Sequence, residues 1–525
     1  MVMYNLDSLT LKYFYEENYD FIINSVVQKI QLPSRHEIIL NIRNINQSKN
    51  KKLYININPK YPHICFSNDK TLEKRNIIIP KVPPMFCMQL RKYFNGSKIK
   101  DFKLVPYERI LEFYFDYFDE IGSLTRMCLA VELMGKHSNI ILYNAQNKII
   151  TGAMHNISPD KSSVREIYGG IEYIYPPKQN KLDILNTSFT TGNEFIKRND
   201  PKLISDNFYY FSLAVTEKIL NKNLPSNETF ASMQNLEAGK NKEFIISFWN
   251  SGDDITSSID NYFSNIMFEE KISNLKANLK RMLKKDINKQ KQIINNESDF
   301  KKAEKYKLWG DLLIANLYNI KEYGNEINID GYKIPIDETL SISDNAQKYY
   351  QKYKKEKTAV EYSQKRTEQA ENKLEYYESI IFNIDNSSSF KELNEIQDEI
   401  SELESPAKSG SNEKINPEKI NFKGFEIYIG KNNKQNDYLI SKIAQSEDLW
   451  FHVLNCPSSH VILKTKNKEP NKEVLEFCAK LVKNNSKAKN SGKTPIIMTK
   501  RKYLRRPPDT YLGYVTYKNE TEIVI

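Results

Sequence analysis

The sequence predicts a multidomain α+β protein assembled around a long antiparallel coiled-coil arm. Three observations lead there. An apolar heptad pattern, broken in its middle, runs from Ile266 to Leu403. In its second half Ala346, Tyr349, Tyr353, Val360, Thr367, Ala370, Leu374, Tyr377, Ile381 and Ile384 keep a 3-4 spacing, with polar Glu356 and Ser363 in two slots. That spacing lays one seam along a single helix face, as a coiled coil needs. On either side of this pattern lie short β-prone runs separated by polar or proline-containing turns. Finally, 525 residues with 40% hydrophobic content are ample for several cores.

In chain order, Leu6 to Lys29 reads as a helix, with Leu9, Tyr13, Ile22, Val26 and Ile30 near one apolar side. His36–Arg43, Lys52–Asn58 and His63–Ser67 are Ile-rich strand candidates. Pro80, Pro83 and Pro84 lead into a helix from Met85 to Phe94. Gly96 stops it, because glycine tolerates the left-handed geometry of a helix end. Glu108–Asp116, Arg126–Leu133 and Ser138–Tyr143 are further strands, and a first α+β domain, residues 1–178, closes near Pro176 and Pro177. Residues 179–265 read as mainly helical, with breaks at Asn221–Asn227 and Ser251–Asp254 and with Phe208–Phe211 as core.

The arm occupies residues 266–405. Its outgoing run is Ile272, Leu275, Leu279, Met282 and Ile293, set among Lys, Asn and Glu. A helix of thirty to forty residues projects on the order of 50 Å. A tip module at about 306–345 holds a helix Lys307–Asn319, with Leu308, Leu312, Ala315 and Leu317 mostly on one side. A hairpin follows, turning at Asp330–Gly331, a pair suited to the positive φ angles of a type I′ turn. Asp385–Ser389 interrupts the returning helix before a last set, Leu393, Ile396, Ile400 and Leu403. Ser405–Pro417 is a flexible linker, and residues 418–525 form a C-terminal α/β module.

No run of eighteen apolar residues exists, so no membrane span is expected. Met1 to Tyr19 carries Asp7, Glu16 and Glu17 and no apolar signal-peptide core. Five scattered cysteines, Cys65, Cys87, Cys128, Cys456 and Cys478, make no CxxC, which fits a reducing, cytoplasmic location. His452 and His460 with Cys456 lack a fourth ligand, so neither a metal nor another cofactor is expected. The net charge of +11 is concentrated: Lys464 to Arg506 holds 14 basic residues against 3 acidic ones. Such a cluster gains affinity for polyanions by displacing counterions from phosphates.

Two constellations carry binding chemistry. Between Glu132 and Asn139, Gly135 supplies a tight turn after Met134, and Lys136, His137, Ser138 and Asn139 crowd donors into one loop fit to grip a phosphate or sugar. Taken without any family resemblance, the stretch reads as a polar hairpin turn. In the C-terminal module, Gly430 and the Lys431–Gln435 loop, Asn433 included, present amides and a cation at a strand end. Asn436 and Asp437 suit the start of a helix Asp437–Ala444. Trp450, His452, Ser458, Ser459 and His460 place stacking and donor groups beside the basic run, where Lys500, Arg501, Lys502, Arg505 and Arg506 are expected to contact phosphates.

The stretches VPPMFCMQLRKYFNGSKI, YERILEFYF, VELMGKHSNIILYN and SSVREIYGGIEYIYPP resemble the N-terminal domain of the NFACT family. These are the RqcH/NEMF-type ribosome quality-control factors, some also labelled fibronectin-binding protein A. GDLLIANLYNI and SDNAQKYYQKYKK resemble the family's middle region, and GFEIYIGKNNKQNDYLI and EDLWFHVLNCPSSHVIL its RNA-binding domain. The family reads PGSHV where this chain has Pro457-Ser458-Ser459-His460-Val461, and Pro-Gly where it has Leu512–Gly513.

The resemblance implies an N-terminal domain similar in fold to the formamidopyrimidine-DNA glycosylases, followed by a helix-hairpin-helix-like unit. Such glycosylases use an N-terminal proline amine followed by an acidic residue; Val2 and Met3 stand there, so base excision and DNA binding are not expected. In the family an Asp-Arg pair helps hold transfer RNA, and Glu108–Arg109 occupies the matching place, its carboxylate one methylene further out. The implied protein is not an enzyme and has no catalytic residue. It would bind the rRNA of a large ribosomal subunit obstructed by peptidyl-tRNA, as a monomer, and recruit alanyl-tRNA so that the stalled chain receives a C-terminal alanine tail. The older label implies a different class, a surface adhesin for fibronectin.

Overall fold

The computed structural model describes residues 4–118, 122–160, 162, 164–249, 252–295, 300–321, 324–404, 415–508 and 510–525. Val2, Met3 and most of the Ser405–Pro417 linker lie outside the described residues. The chain divides into two compact units, Met1–Glu270 and Lys271–Ile525.

In the first unit, Asp7 caps α1 (Ser8–Ile22), accepting the Thr10 N–H at 2.7 Å. The helix does not continue to Lys29. Val26 and Val27 favour extended backbone, and β1 (Ser25–Ser34) begins there instead. Asn44 Nδ2 donates to the Phe21 carbonyl at 2.8 Å, satisfying one of the acceptors left at the end of α1. β1 runs antiparallel into β2 (Glu37–Asn44), β3 (Lys49–Asn56) and β4 (His63–Ser67), a four-stranded meander. After α2 (Asp69–Lys74) and α3 (Met85–Phe94), Gly96 takes φ 78°, the left-handed region expected of it.

A second antiparallel meander follows: β5 (Ile99–Leu104), β6 (Ile110–Phe118), β7 (Leu124–Glu132), β8 (Asn139–Asn144) and β9 (Ile150–Ala153). Helices α4 (Phe189–Lys197), α5 (Pro201–Asn207), α6 (Leu213–Leu220), α7 (Ser226–Glu237) and α8 (Lys242–Trp249) share one core with both sheets, into which Phe14, Leu53, Phe113, Phe208 and Trp249 all point. α9 (Ile255–Asn295) starts in this unit, fixed to β4 by His63 stacked at 4.2 Å on Phe263 and to Arg75 by a buried ion pair with Asp260 at 2.7 Å.

In the second unit α9 continues, and α10 (Phe300–Ala315), a hairpin of β10 (Glu326–Ile329) and β11 (Tyr332–Pro335), and α11 (Ile342–Asn386) complete an out-and-back arm. Lys276, midway along α9, donates through Nζ to the Asp385 carbonyl at 2.8 Å near the end of α11, and Lys302 of α10 pairs with Glu356 further back along α11, the order of an antiparallel pair. Every heptad position read in α11 is buried or half-buried, polar Glu356 and Ser363 included. The hairpin turns at Asp330 (φ 52°) and Gly331 (φ 85°), both positive as type I′ demands.

Two readings of the arm change. Met282 is exposed and Leu283 carries the seam, because Leu275, Leu279 and Leu283 step by four and four where a strict heptad would step by four and three. In α10, Leu308 and Ala315 face outwards; Ala303, Trp309 and Leu313 are buried, and Trp309 packs edge-on against Tyr349 at 5.2 Å.

Beyond α12 (Phe390–Glu404), six strands form one sheet: β12 (Glu418–Phe422), β13 (Phe425–Ile429), β14 (Leu449–Val453), β15 (Val461–Lys464), β16 (Pro495–Lys500) and β17 (Thr521–Val524), in the order β12-β13-β15-β14-β16-β17. All five ladders are antiparallel, so this module is α+β rather than α/β. α13 (Asn433–Tyr438) runs into a π turn at Leu439–Ile443, so the helix expected at Asp437–Ala444 starts four residues earlier, capped by Asn432. α14 (Lys472–Asn484) buries Val474, Cys478 and Val482 against the sheet.

Candidate nucleic-acid interfaces

The first candidate interface lies at one end of the five-stranded sheet. Ile110 opens β6 opposite Glu132 at the end of β7, and the Leu133 N–H donates to the Arg109 carbonyl at 2.9 Å. The register therefore brings Glu108–Arg109 beside the Glu132–Asn139 loop. Tyr107 enters this corner at φ 67°, a left-handed conformation that costs a non-glycine residue about 1 kcal/mol or more. It is held there by stacking on Tyr209 at 4.3 Å and by donating its hydroxyl to Asp183 at 2.8 Å.

Within the loop, side chains divide by direction. Glu132 is fully buried: Arg165 grips both carboxylate oxygens and Tyr173 donates to Oε1 at 2.8 Å. Burial nevertheless pushes the Glu132 carboxyl above its usual range, with Arg165 opposing. Asn139, also fully buried, closes on His155, donating to its carbonyl at 2.7 Å and accepting its N–H at 3.0 Å. These two residues shape the loop. Ser138 is buried, and its hydroxyl has no partner in the described residues. Lys136 and His137, on a 3₁₀ turn begun by Gly135 at φ 62°, are exposed, while Met134 is half-buried.

Arg109 is half-buried, donating to the Leu6 carbonyl at 3.3 Å and facing Asp7. Burial raises the carboxyl of half-buried Glu108, with Arg109 opposing and Glu132 adding to the rise.

The second candidate interface is a cleft of about 460 Å³ within the second unit. Asn433 and Asn436 from α13, Trp450 and His452 from β14, and His460 before β15 line one side. Glu375 and Tyr376 from α11, Pro457 and Ser458, and Tyr511, Tyr514 and Tyr517 line it as well. The local fold explains the convergence. Asn436 Oδ1 accepts the His460 N–H at 3.1 Å, and only glycine fits at 430, because a Cβ there would stand 2.2 Å from that same oxygen. Asn433 is a joint between helices, donating to Ser379 at 3.0 Å and to the buried Glu399 at 2.9 Å. Glu399 also accepts the Tyr376 hydroxyl, and burial pushes its carboxyl up to about 7.

Trp450 stacks parallel to His452 at 5.4 Å and meets His460 edge-on at 5.3 Å. Burial holds both imidazoles neutral, His452 at about 4. Ser459 is buried, its N–H bonded to the Asn485 carbonyl at 3.0 Å.

The expected phosphate contacts stand apart from the lining; Arg505 is exposed, and the other four already have partners. Lys500 and Lys502 share Glu447 at 2.9 and 2.8 Å, Arg501 donates to the Ile440 carbonyl at 2.8 Å, and Arg506 pairs with Asp437 at 2.7 Å. Lys431 bridges Glu418 at 2.8 Å and Glu392 at 3.6 Å. Sequence reasoning missed Tyr376 and Tyr511 in the cleft, Glu399 beneath it, and Arg165 and Tyr173 behind the loop. The last two lie inside a stretch singled out for other reasons. Tyr376 sits one residue off the coiled-coil seam, a place with no signal of its own.

Two families match consecutive parts of the chain: NFACT N-terminal and middle domains over residues 7–418, and NFACT protein RNA binding domain over residues 419–519. The "Rqc2 homolog RqcH" of Bacillus subtilis (strain 168) is 28% identical over 550 aligned residues, covering 96% of this chain and 95% of that protein. The "Rqc2 homolog RqcH" of Streptococcus suis (strain 05ZYH33) is 30% identical over 523, covering 94% and 93%. Among solved structures, the N-terminal part of the fibronectin/fibrinogen-binding protein from Streptococcus suis matches at 28% identity and a TM-score of 0.39, over 44% of this chain and 84% of that one.

Proposed function

This chain belongs to the NFACT family, and from that premise we propose that it is an RqcH-like ribosome quality-control factor. It binds the large ribosomal subunit and transfer RNA, and recruits alanyl-tRNA to subunits obstructed by peptidyl-tRNA, so that the stalled chain receives a C-terminal alanine tail. Ribosomal RNA makes the bonds; this protein positions the substrates.

The observation that carries the reading is the near-full-length correspondence with two proteins named Rqc2 homolog RqcH, spanning 94–96% of this chain. The geometry supports it at two places. Lys136, His137 and Arg109 are gathered at one sheet end by the β6–β7 register. Asn433, Asn436, Trp450, His452 and His460 converge on one cleft inside the part that matches the RNA binding domain.

Co-sedimentation of the full chain with separated ribosomal subunits tests the reading, followed by sequencing of the tRNA recovered. Large subunits should be retained over small ones, and alanine tRNA should be enriched. Absence of large-subunit association at low salt overturns it.

A further inference from the structure

We propose that the cleft of the second unit takes one unpaired nucleobase from an RNA strand, stacked on its tyrosines and held through a base N–H by Nε2 of His452. This rests on the RNA-binding reading above and narrows it to a ligand class and a contact.

The lining chemistry excludes the commonest RNA contact. Among the described lining residues Glu375 is the one charged side chain, so a phosphate has no counter-charge inside. What the walls do offer is planar surface, from Tyr376, Tyr511, Tyr514 and Tyr517, and base–aromatic stacking needs only a π-face. Tyr376 and Tyr511 already lie parallel at 4.4 Å, and Tyr514 is exposed at the lip.

The hydrogen-bonding sense of the cleft is also set. His452 Nδ1 donates to the Val453 carbonyl at 2.7 Å, so Nε2 carries the lone pair and accepts. Burial keeps that ring neutral, the Val453 and Ser458 backbone opposing, and His452 lines the cleft with part of its surface open. Glu375 adds a second acceptor. Imino and amino N–H groups of bases are the complementary donors.

Two further atoms call for a polar guest. Trp450 Nε1 and His460 Nδ1 are buried in the same wall with no protein partner among the described residues, although buried polar groups are nearly always paired. A volume of about 460 Å³ falls within the ~300–1,000 Å³ typical of small-molecule sites, too small for a duplex. Cationic charge waits outside: Lys487 donates its N–H to the carbonyl of lining Pro457 at 3.1 Å and pairs loosely with Glu378 at 3.5 Å, where the backbone of a strand would pass.

The test uses the full chain and a fluorescein-labelled, mixed-sequence single-stranded RNA of roughly 12 nucleotides, beside the same strand made wholly abasic. Wild type should bind the base-bearing strand roughly tenfold more tightly. His452→Phe, which keeps the stack on Trp450, and Tyr511→Ala should erase that ratio while leaving abasic binding and the salt slope unchanged. Tyr511→Phe should keep it. Lys487→Ala should keep the ratio and lower the log–log salt slope by about 0.7.

Equal binding of the two strands by wild type overturns the proposal, as does an unchanged ratio in His452→Phe. So does cleft-dependent binding of AMP or GMP with a strand ratio of one, which would make this a free-nucleotide site. Failure to bind either strand or large ribosomal subunits sinks the RNA reading itself, and this inference with it.

Discussion

The loop of the first unit and the cleft of the second are both walled by buried polar residues, yet the two leave them in opposite conditions. Behind the loop both oxygens of Glu132 are bonded and Asn139 is closed on His155 in both directions, the Ser138 hydroxyl being the exception among the described residues. Around the cleft Trp450 Nε1, His460 Nδ1 and Glu399 Oε2 have no partner among the described residues. A satisfied network fixes one shape, whereas unpaired buried groups are costly until something meets them. The difference separates scaffold from contact where residue type does not: Glu132 and Asn139 hold a loop so that Lys136 and His137 can meet a ligand, while His452 faces the ligand space itself.

The largest effect should come from breaking the satisfied side. Arg165→Ala leaves the Glu132 carboxylate buried without a counter-charge and with Tyr173 as its remaining donor, and removing one member of a buried pair typically costs roughly 3–5 kcal/mol. Hydrogen exchange along β7 and β8 should accelerate strongly, with exchange in the C-terminal sheet unchanged. If protection of those strands survives, the network does not hold the loop.

Next in size is the ionisable group under the cleft. The Glu399 carboxyl titrates at about 7 against an ordinary 4.5, so the folded chain prefers it protonated. The stability this contributes is present in full below pH 4.5 and is lost as pH rises through 7. The loss is on the order of 3 kcal/mol, as an upper bound. Glu399→Gln mimics the protonated form and keeps an acceptor for Tyr376 and Asn433. In urea unfolding of the C-terminal sheet, the variant should match wild type below pH 4.5, exceed it increasingly as pH rises through 7, and hold a constant lead above that. A stability difference that does not change with pH would show that Glu399 is ionised in the folded state.

These contrasts also mark what a sequence can carry. Features set by neighbours three or four residues away were legible: the seam of α11, the helix Met85–Phe94, the strand His63–Ser67, and the Asp330–Gly331 turn. β1 was hidden because its first residues continue an apolar pattern that a helix could also use. Asn433, Asn436, Trp450, His452 and His460, read from separate stretches, do share one cleft. Their roles were not. Whether Glu132 contacts RNA or anchors a loop depends on Arg165, 33 residues away, and Asn433 meets Glu399 across 34 residues. Partners at such separation leave no local pattern.

A third, smaller effect probes the cations that stand apart from the cleft. Lys500 and Lys502 both rest on half-buried Glu447, which competes with phosphate for them. Glu447→Gln should therefore tighten RNA binding several-fold at low salt and steepen the log–log salt slope, while Lys500→Ala with Lys502→Ala should flatten it by about 0.7–0.9 per lost contact. The preference for a base-bearing over an abasic strand should not move in either variant. If it does, cleft and basic strand are one site.

The smallest effect tests where Glu108–Arg109 belongs. Arg109 shares features with both sides: it is half-buried like a scaffold residue, yet its bond to the Leu6 carbonyl is long at 3.3 Å and uses one nitrogen of the fork. A guanidinium so loosely held can turn to a tRNA phosphate and offer paired donors. Asp7, its acidic neighbour, keeps Thr10 and Ser212 as partners whatever Arg109 does. Arg109→Ala should thus lower the tRNA-to-subunit ratio in pull-downs at little cost in stability, and Arg109→Lys should restore it only in part, because a point charge replaces the fork. Glu108→Asp shortens the carboxylate by one methylene and should shift the ratio by no more than about threefold, under roughly 0.7 kcal/mol. Should Arg109→Ala keep the wild-type ratio while exchange near α1 accelerates, the pair is scaffold like Glu132. The tRNA contacts of the first unit would then reduce to Lys136 and His137, and alanine tailing would lose its support there.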